Sequence, residues 1–126
     1  MATQIMNIRT AMTLDLLMID LHTHILFGMD DGAKNLSDSL DLIDMQIQQG
    51  VQTIVVTPHF HPGKQSLTDF IEKRDSNLEI LRTTVQNSGR NIKILKGAEV
   101  FYTADLLEMD LSNLVIENTD YILLEF

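Results

Sequence analysis

The stretch MIDLHTHILFGMDDGAK, residues 18–34, decides how the fold and the chemistry of this chain are interpreted. Its apolar run contains Asp20, His22 and His24, and residues two apart in an extended strand project to the same face. This spacing predicts an imidazole pair that binds one metal ion, with Asp20 orienting an imidazole ring through a hydrogen bond to its N–H. A bare HxH pair is a weak signal, because two exposed histidines near a turn give the same pattern.

Apolar runs of strand length are spread along the chain, and they are rich in Ile, Val and Leu with little strict alternation. This composition is typical of parallel strands that are covered on both faces. The runs are Met18–Leu21, Gln52–Thr57, Ile92–Leu95 and Tyr121–Leu124. Helical segments separate them, and the order β-α-β-α-β-α-β predicts an α/β fold with about four parallel strands and right-handed crossovers.

The helical segments are predicted from apolar residues at helical spacing. The first helix is expected to have Ser37 as its N-cap and Gly50 as its C-terminal stop. The second is expected to end at Gly89, and a shorter helical piece is predicted over Ala104–Met109. The apolar residues that share a face are Leu36, Leu40, Ile43 and Ile47 in the first helix and Phe70, Leu78, Leu81 and Val85 in the second.

Metal-ligand side chains recur at the ends of the predicted strands, and these ends of parallel strands meet at one edge of a sheet. They are His22 and His24 after the first strand, His59 after the second, Glu99 after the third and Glu125 after the fourth. With Asp31, three histidines and three carboxylates suit two or three divalent ions, for which Mn²⁺, Fe²⁺ and Zn²⁺ are the natural choices. Closely spaced ions of this kind favour phosphoester hydrolysis.

Several of these positions also have a structural interpretation. The DDG sequence favours Asp30 as a turn former, whereas Asp31, beside the HxH strand, is the expected ligand. His61 is predicted to lie in the loop or on the substrate side. Glu99 can bridge two ions, and Glu125 is either a ligand or a strand-end residue that reaches solvent.

Composition limits the class of protein. The 126 residues, 44% of them hydrophobic, fit one domain with a modest core, and residues 1–17 are interpreted as an N-terminal extension before a domain over 18–126. A net charge of −9 argues against nucleic-acid binding. The chain has no cysteine and no apolar run near the roughly 20 residues of a membrane span, so we expect a cytoplasmic protein without membrane insertion.

Three segments together resemble the polymerase and histidinol phosphatase (PHP) superfamily: MIDLHTHILFGMDDGAKNLSDSL, TPHFHPG and KGAEVFYT. The resemblance is closest to its manganese-dependent bacterial protein-tyrosine phosphatases, which are encoded with capsule and exopolysaccharide genes. It implies the N-terminal half of a (β/α)7 TIM-like barrel over residues 18–126, with three ions at the C-terminal face. The implied ligands are His22, His24 and Glu99 for the first ion, Glu99 and Glu125 for the second, and Asp31 and His59 for the third.

The resemblance also implies a function. The substrate would be a phosphotyrosine protein, above all the cognate bacterial tyrosine kinase, attacked by a metal-bound hydroxide without a covalent phosphoenzyme. Family members are roughly twice as long, as a full barrel of about 250 residues requires. Their later ligands and their arginine are absent from this chain, so no catalytic residue beyond the metal ligands is assigned. We therefore expect an incomplete, impaired phosphatase that needs a partner or a second copy.

Two other functions remain open at this stage. One is a different PHP phosphoesterase, such as a histidinol-phosphatase-like enzyme. The other is a non-catalytic half-barrel that binds a partner and serves regulation.

Overall fold

A computed structural model describes residues 18–126, so the predicted extension over residues 1–17 lies outside the described residues. The elements in chain order are β1 (Ile19–Thr23), α1 (Leu36–Gln48), β2 (Thr53–Val56), β3 (His59–Phe60), α2 (Leu67–Asn87), β4 (Lys93–Lys96), β5 (Glu99–Phe101), a 3₁₀ helix (Ala104–Glu108) and β6 (Leu123–Glu125). The predicted α/β architecture is confirmed.

All strand pairs are parallel, as predicted, and they form two three-stranded sheets with the orders β1-β2-β4 and β3-β5-β6. The two middle strands expected from the sequence correspond to β2 and β4, and each is followed by a further short strand, β3 or β5, after an interruption at Thr57–Pro58 or Gly97–Ala98. Pro58 has no N–H to donate to a ladder. Its carbonyl nevertheless accepts from Glu99 N at 2.9 Å, which joins the sheets. Over residues 18–126 neither sheet closes on itself.

The helix ends follow ordinary capping chemistry. Asn35, not the predicted Ser37, caps α1: its backbone is extended and its side chain accepts from Asp38 N at 2.9 Å. The NLSDS sequence offers two good N-cap residues, and the chain uses the earlier one. Gly50 and Gly89 follow the two helices with φ of 85° and 73°, as the predicted helix ends require. The third helical piece is a short 3₁₀ helix.

The core consists of two clusters, one for each sheet. The first packs α1 and α2 against β1-β2-β4, and its fully buried residues include Ile43, Ile54, Val56 and Leu81. The second lies against β3 and β5 and includes Phe60, Phe70, Val100, Leu106 and Leu114. The predicted apolar face of α2 is completely buried, whereas Ile43 is the only one of the four predicted α1 residues that is fully buried. No helix within residues 18–126 is long and apolar enough to cross a membrane.

Glu117 anchors the loop before β6 to β4, and we expect it to make stability depend on pH. Its carboxylate accepts from Lys96 N at 3.0 Å and from Arg82 Nη2 at 2.6 Å. Burial opposes ionisation, but these hydrogen bonds outweigh it and hold the pKa of Glu117 below its ordinary value. A lowered folded-state pKa stabilises the fold above the unfolded-state pKa, and this stabilisation is lost as the pH falls through the folded-state value.

Glu117→Gln should therefore remove a pH-dependent part of the stability while keeping an oxygen acceptor. We expect a loss of about 0.5–1 kcal/mol at pH 7, as for partly exposed ion pairs, that shrinks towards zero near pH 3. Urea unfolding at both pH values measures it, with the exposed Glu72→Gln as the control. An equal loss at the two pH values would show that the charge of Glu117 is irrelevant.

Candidate metal centre

The side chains of three residues, His22 and His24 near the end of β1 and Glu99 at the start of β5, bring their potential ligand atoms close together. His22 Nε2 lies 2.9 Å from Glu99 Oε1, and His24 Nε2 lies 3.0 Å from the same oxygen. The two Nε2 atoms are 3.3 Å apart. His22 lies in β1 and His24 directly follows the strand, so the two-residue alternation places both imidazoles on one face. Glu99, the first residue of β5, lies next to them.

These separations fit the ligands of a single ion. With metal–ligand bonds of about 2.1 Å, neighbouring ligands are about 3.0 Å apart in octahedral and about 3.4 Å apart in tetrahedral coordination. The observed 2.9, 3.0 and 3.3 Å lie within about 0.1 Å of that range. Two imidazoles and a carboxylate are a donor set suited to a first-row divalent metal.

Asp30 holds His24 from the opposite side. Its Oδ2 accepts from His24 Nδ1 at 3.0 Å and from His59 N at 3.0 Å, and its Oδ1 accepts from Gly32 N at 2.9 Å. Burial alone would raise the pKa of Asp30, but the hydrogen bond from His24 and those from the two amides lower it to about 2. The ionised carboxylate fixes the hydrogen of His24 on Nδ1 and turns Nε2 towards Glu99.

The charge around His24 favours a cation at its Nε2. The hydrogen bond to Asp30 raises the pKa of His24 despite partial burial, and the charges of Asp30, Glu99 and Asp31 add to this effect. Both ring nitrogens thus face carboxylates. A metal ion bound to Nε2 would replace a proton, and the nearby carboxylates favour a positive charge at this position.

The remaining predicted ligands lie beside this trio. His59 Nδ1 is 3.3 Å from Glu99 Oε1 and 3.3 Å from Glu125 Oε2, and its ring stacks on His24 with centroids 4.5 Å apart. Ligand atoms of His59, Glu99 and Glu125 could therefore share an ion. Asp31 stands at the rim: its Oδ1 is 3.9 Å from His59 Nε2, and its side chain is 90% exposed.

Two aspartates contact the residues of the histidine pair, and one of them has a role beyond the sequence-based interpretation. Asp20 is a buried residue of β1, and its carboxylate accepts from His22 N at 3.2 Å and from Gln46 Nε2 at 2.8 Å. Asp30, which was expected only to form the turn, also accepts a hydrogen bond from the imidazole of His24. It does both, since its bond to Gly32 N closes the turn. A DDG sequence after an HxH strand signals that one aspartate turns inward, but not which one.

Gly32 allows the DDG loop to fold back onto the end of β1. A Cβ at Gly32 would lie 2.3 Å from His24 O and 2.7 Å from His24 Cβ, so any side chain there collides with the histidine. Gly32→Ala should displace His24, cost roughly 1–3 kcal/mol of stability and weaken metal binding. Thermal unfolding with and without added Mn²⁺ measures both effects.

Gly89→Ala is the comparison for this prediction, because its Cβ would meet nothing within 4 Å and only its φ of +73° is unfavourable. We expect Gly89→Ala to lower stability without changing Mn²⁺ affinity. Unaltered Mn²⁺ affinity in Gly32→Ala as well would mean that His24 does not depend on the close approach of this loop.

The chain is similar to known proteins in both sequence and fold. Residues 18–126 match the family model for capsular polysaccharide synthesis proteins, CpsB/CapC. Tyrosine-protein phosphatase CpsB of Streptococcus agalactiae is 39% identical over 112 residues, and tyrosine-protein phosphatase YwqE of Bacillus subtilis is 34% identical over 115 residues. Each alignment covers 86% of this chain, but only 45% of the CpsB protein and 43% of YwqE. The chain thus spans less than half the length of these relatives.

A solved structure shares the fold. It belongs to a study of YwqE from Bacillus subtilis and CpsB from Streptococcus pneumoniae, described as unique metal-dependent tyrosine phosphatases. The TM-score is 0.73 at 31% sequence identity, and the match covers 86% of this chain and 44% of the other.

Proposed function

The chain belongs to the CpsB/CapC family of capsular polysaccharide synthesis proteins, and from this premise we propose that it carries part of a metal-dependent tyrosine phosphatase centre. The observation that carries the proposal is the convergence of His22 Nε2, His24 Nε2 and Glu99 Oε1 within 3.3 Å of one another. The reaction is hydrolysis of the phosphate ester of tyrosine in a protein substrate.

The assignment of ligands follows the resemblance of the sequence motifs to the family. His22, His24 and Glu99 hold the first ion, Glu99 and Glu125 contribute to the second, and Asp31 and His59 contribute to the third. Mn²⁺ is the proposed metal, with Fe²⁺ or Zn²⁺ as alternatives, because the donors are nitrogen and oxygen only. The clustering of His22, His24 and Glu99 supports the first ion, and that of His59, Glu99 and Glu125 supports an ion beside it. The absence of cysteine from the sequence agrees with nitrogen and oxygen donors.

The accessibility of the site supports a catalytic role over a closed structural one. The side chains of His22, His24 and His59 are 26%, 27% and 39% exposed, so one side of the centre is open to a substrate. Divalent ions bound here would supply an activated water and neutralise charge on the phosphoryl oxygens. The protein's own contribution is to hold the ligands together: Glu99 reaches three imidazoles, and Asp30 fixes the ring of His24.

We further propose that the two parallel sheets are the N-terminal part of a PHP-type (β/α)7 barrel. The parallel pairing of all strands and the position of the site where β1 ends and β3 and β5 begin support this, since α/β barrels carry their chemistry at that edge. The proposed partner is a phosphotyrosine protein such as the cognate tyrosine kinase. Assembly of the chain with a second copy and a cytoplasmic location remain predictions of the sequence.

The test is phosphate release by the purified chain with Mn²⁺, comparing a phosphotyrosine peptide with histidinol phosphate. We expect slow release from the phosphotyrosine peptide that EDTA abolishes and fresh Mn²⁺ restores. Preference for histidinol phosphate would indicate a different PHP phosphoesterase. If the chain takes up neither Mn, Fe nor Zn, the proposed centre is wrong and a non-catalytic binding module is favoured.

A further inference from the structure

Beside the candidate metal centre lies a cavity of about 430 Å³ that the ligand assignment does not use. It is lined by His59, Phe60, His61, Lys64, Phe101 and Glu125. His59 and Glu125 are proposed metal ligands, so the cavity borders the centre. A molecule bound to the ions would have room to extend into this cavity.

One side of the cavity is a pair of stacked rings. The rings of His61 and Phe101 are 4.5 Å apart between centroids and inclined by only 11°. Their placement follows from strand register, because His59 pairs with Glu99 and the aromatic residues lie two positions further along each chain. Since residues two apart share a face, the ring pair stands beside the ligand pair, about 7 Å further along the strand direction.

The loop that carries His61 is held in place by its own hydrogen bonds. His61 Nδ1 accepts from Gly63 N at 3.1 Å, which leaves the hydrogen of the neutral ring on Nε2. The carbonyl of His61 accepts from Lys64 N at 3.0 Å, and Gln65 Nε2 donates to His59 O at 3.2 Å. The stacked pair is thus a preformed planar surface, and such surfaces favour aromatic rings in offset stacks.

Lys64 is the only lysine or arginine among the residues that line this cavity. In a chain of net charge −9 it supplies a positive charge to a cavity that two proposed metal ligands, His59 and Glu125, also line. A phosphoryl group carries two negative charges near neutral pH, and an ammonium beside its oxygens favours binding. A planar stacking surface and one cation, both adjacent to a metal centre, match the two parts of an aryl phosphate.

We propose that this cavity selects aryl phosphate esters: the ring of the substrate stacks on the His61–Phe101 pair, and Lys64 pairs with its phosphoryl group. The selection rests on the proposed function, because it requires the phosphoryl group to lie at the metal centre. It assigns the preference for tyrosine over serine or threonine phosphate to Phe101 and His61, and general phosphoryl affinity to Lys64.

The experiment compares phenylphosphonate with methylphosphonate, which carry the same charge and are not hydrolysed. Isothermal titration of the chain first measures Mn²⁺ uptake and then the affinity for each phosphonate in the presence of Mn²⁺. The variants are Phe101→Leu and Lys64→Gln, with the exposed Tyr121→Leu and Lys73→Gln as matched controls. Circular dichroism checks that each variant is folded.

We expect the chain to bind phenylphosphonate about fivefold to tenfold more tightly than methylphosphonate, the range of one aromatic stack. Phe101→Leu should abolish this preference while methylphosphonate affinity stays within twofold, and Lys64→Gln should weaken both ligands to a similar degree. Both control variants should behave like the parent chain. Absence of Mn²⁺ uptake would refute the proposed function. Mn²⁺ uptake without a ring preference, or a preference that survives in Phe101→Leu, would overturn the aryl subsite alone.

Discussion

Glu99→Gln is expected to reduce Mn²⁺ affinity on the order of 10²-fold or more and to abolish metal-dependent phosphate release, since it removes a ligand rather than a residue that supports one. Its Oε1 lies within 3.3 Å of nitrogen atoms of His22, His24 and His59. A single carboxylate oxygen is thus within contact distance of three imidazoles. Glutamine preserves the volume of this largely buried side chain but replaces an anionic ligand with a neutral amide.

Isothermal titration with Mn²⁺ measures the loss of Mn²⁺ affinity. Thermal unfolding without added metal shows whether the variant is folded. Glu72→Gln makes the same chemical change on the exposed face of α2 and should leave Mn²⁺ affinity unaltered. If the Mn²⁺ affinity of Glu99→Gln were within threefold of that of the parent chain, the contacts of Glu99 with the three imidazoles would serve the structure rather than a metal ion. The proposed centre would then be abandoned.

The elements of the fold could be predicted where the signal is local. The face of α2 formed by Phe70, Leu78, Leu81 and Val85 is buried as expected, because periodicity alone decides which side of a helix meets the sheet. The short strands β3 and β5 were not predicted. Their position depends on how pairing with neighbouring strands resumes after Pro58 and Ala98, and an apolar run does not reveal where its partner strand ends.

The candidate site shows the same division between local and distant causes. Spacing placed His22 and His24 on one face, and the strand order brought His59 and Glu99 to the same edge. The role of Asp30 could not be read from DDG, because its orientation depends on an amide donated by His59, twenty-nine residues later in the chain. Turn propensity describes the aspartate pair, but tertiary hydrogen bonds decide which carboxylate faces inward.

Asp30→Asn should therefore show the effect of a residue that orients a metal ligand without being a ligand itself. One carboxylate oxygen of Asp30 accepts hydrogen bonds from both His24 Nδ1 and His59 N, while the other accepts from Gly32 N. An asparagine has only one accepting oxygen, so at least one of these partly buried donors loses its acceptor. We expect a loss of about 1–3 kcal/mol in unfolding free energy without metal, and Mn²⁺ affinity about 10–100-fold weaker because His24 loses its orientation.

Asp31→Asn is the informative counterpart, because the adjacent side chain is 90% exposed and touches the site only at 3.9 Å. It should leave the unfolding free energy without metal unchanged and lower only the number or affinity of ions beyond the first. Chemical unfolding and Mn²⁺ titration of both variants, with exposed Asp120→Asn as the control, measure the contrast. If Asp31→Asn destabilised the chain as much as Asp30→Asn, the inward contacts of Asp30 would not be what fixes His24. Equal losses of Mn²⁺ affinity without any loss of stability would instead make both aspartates ligands.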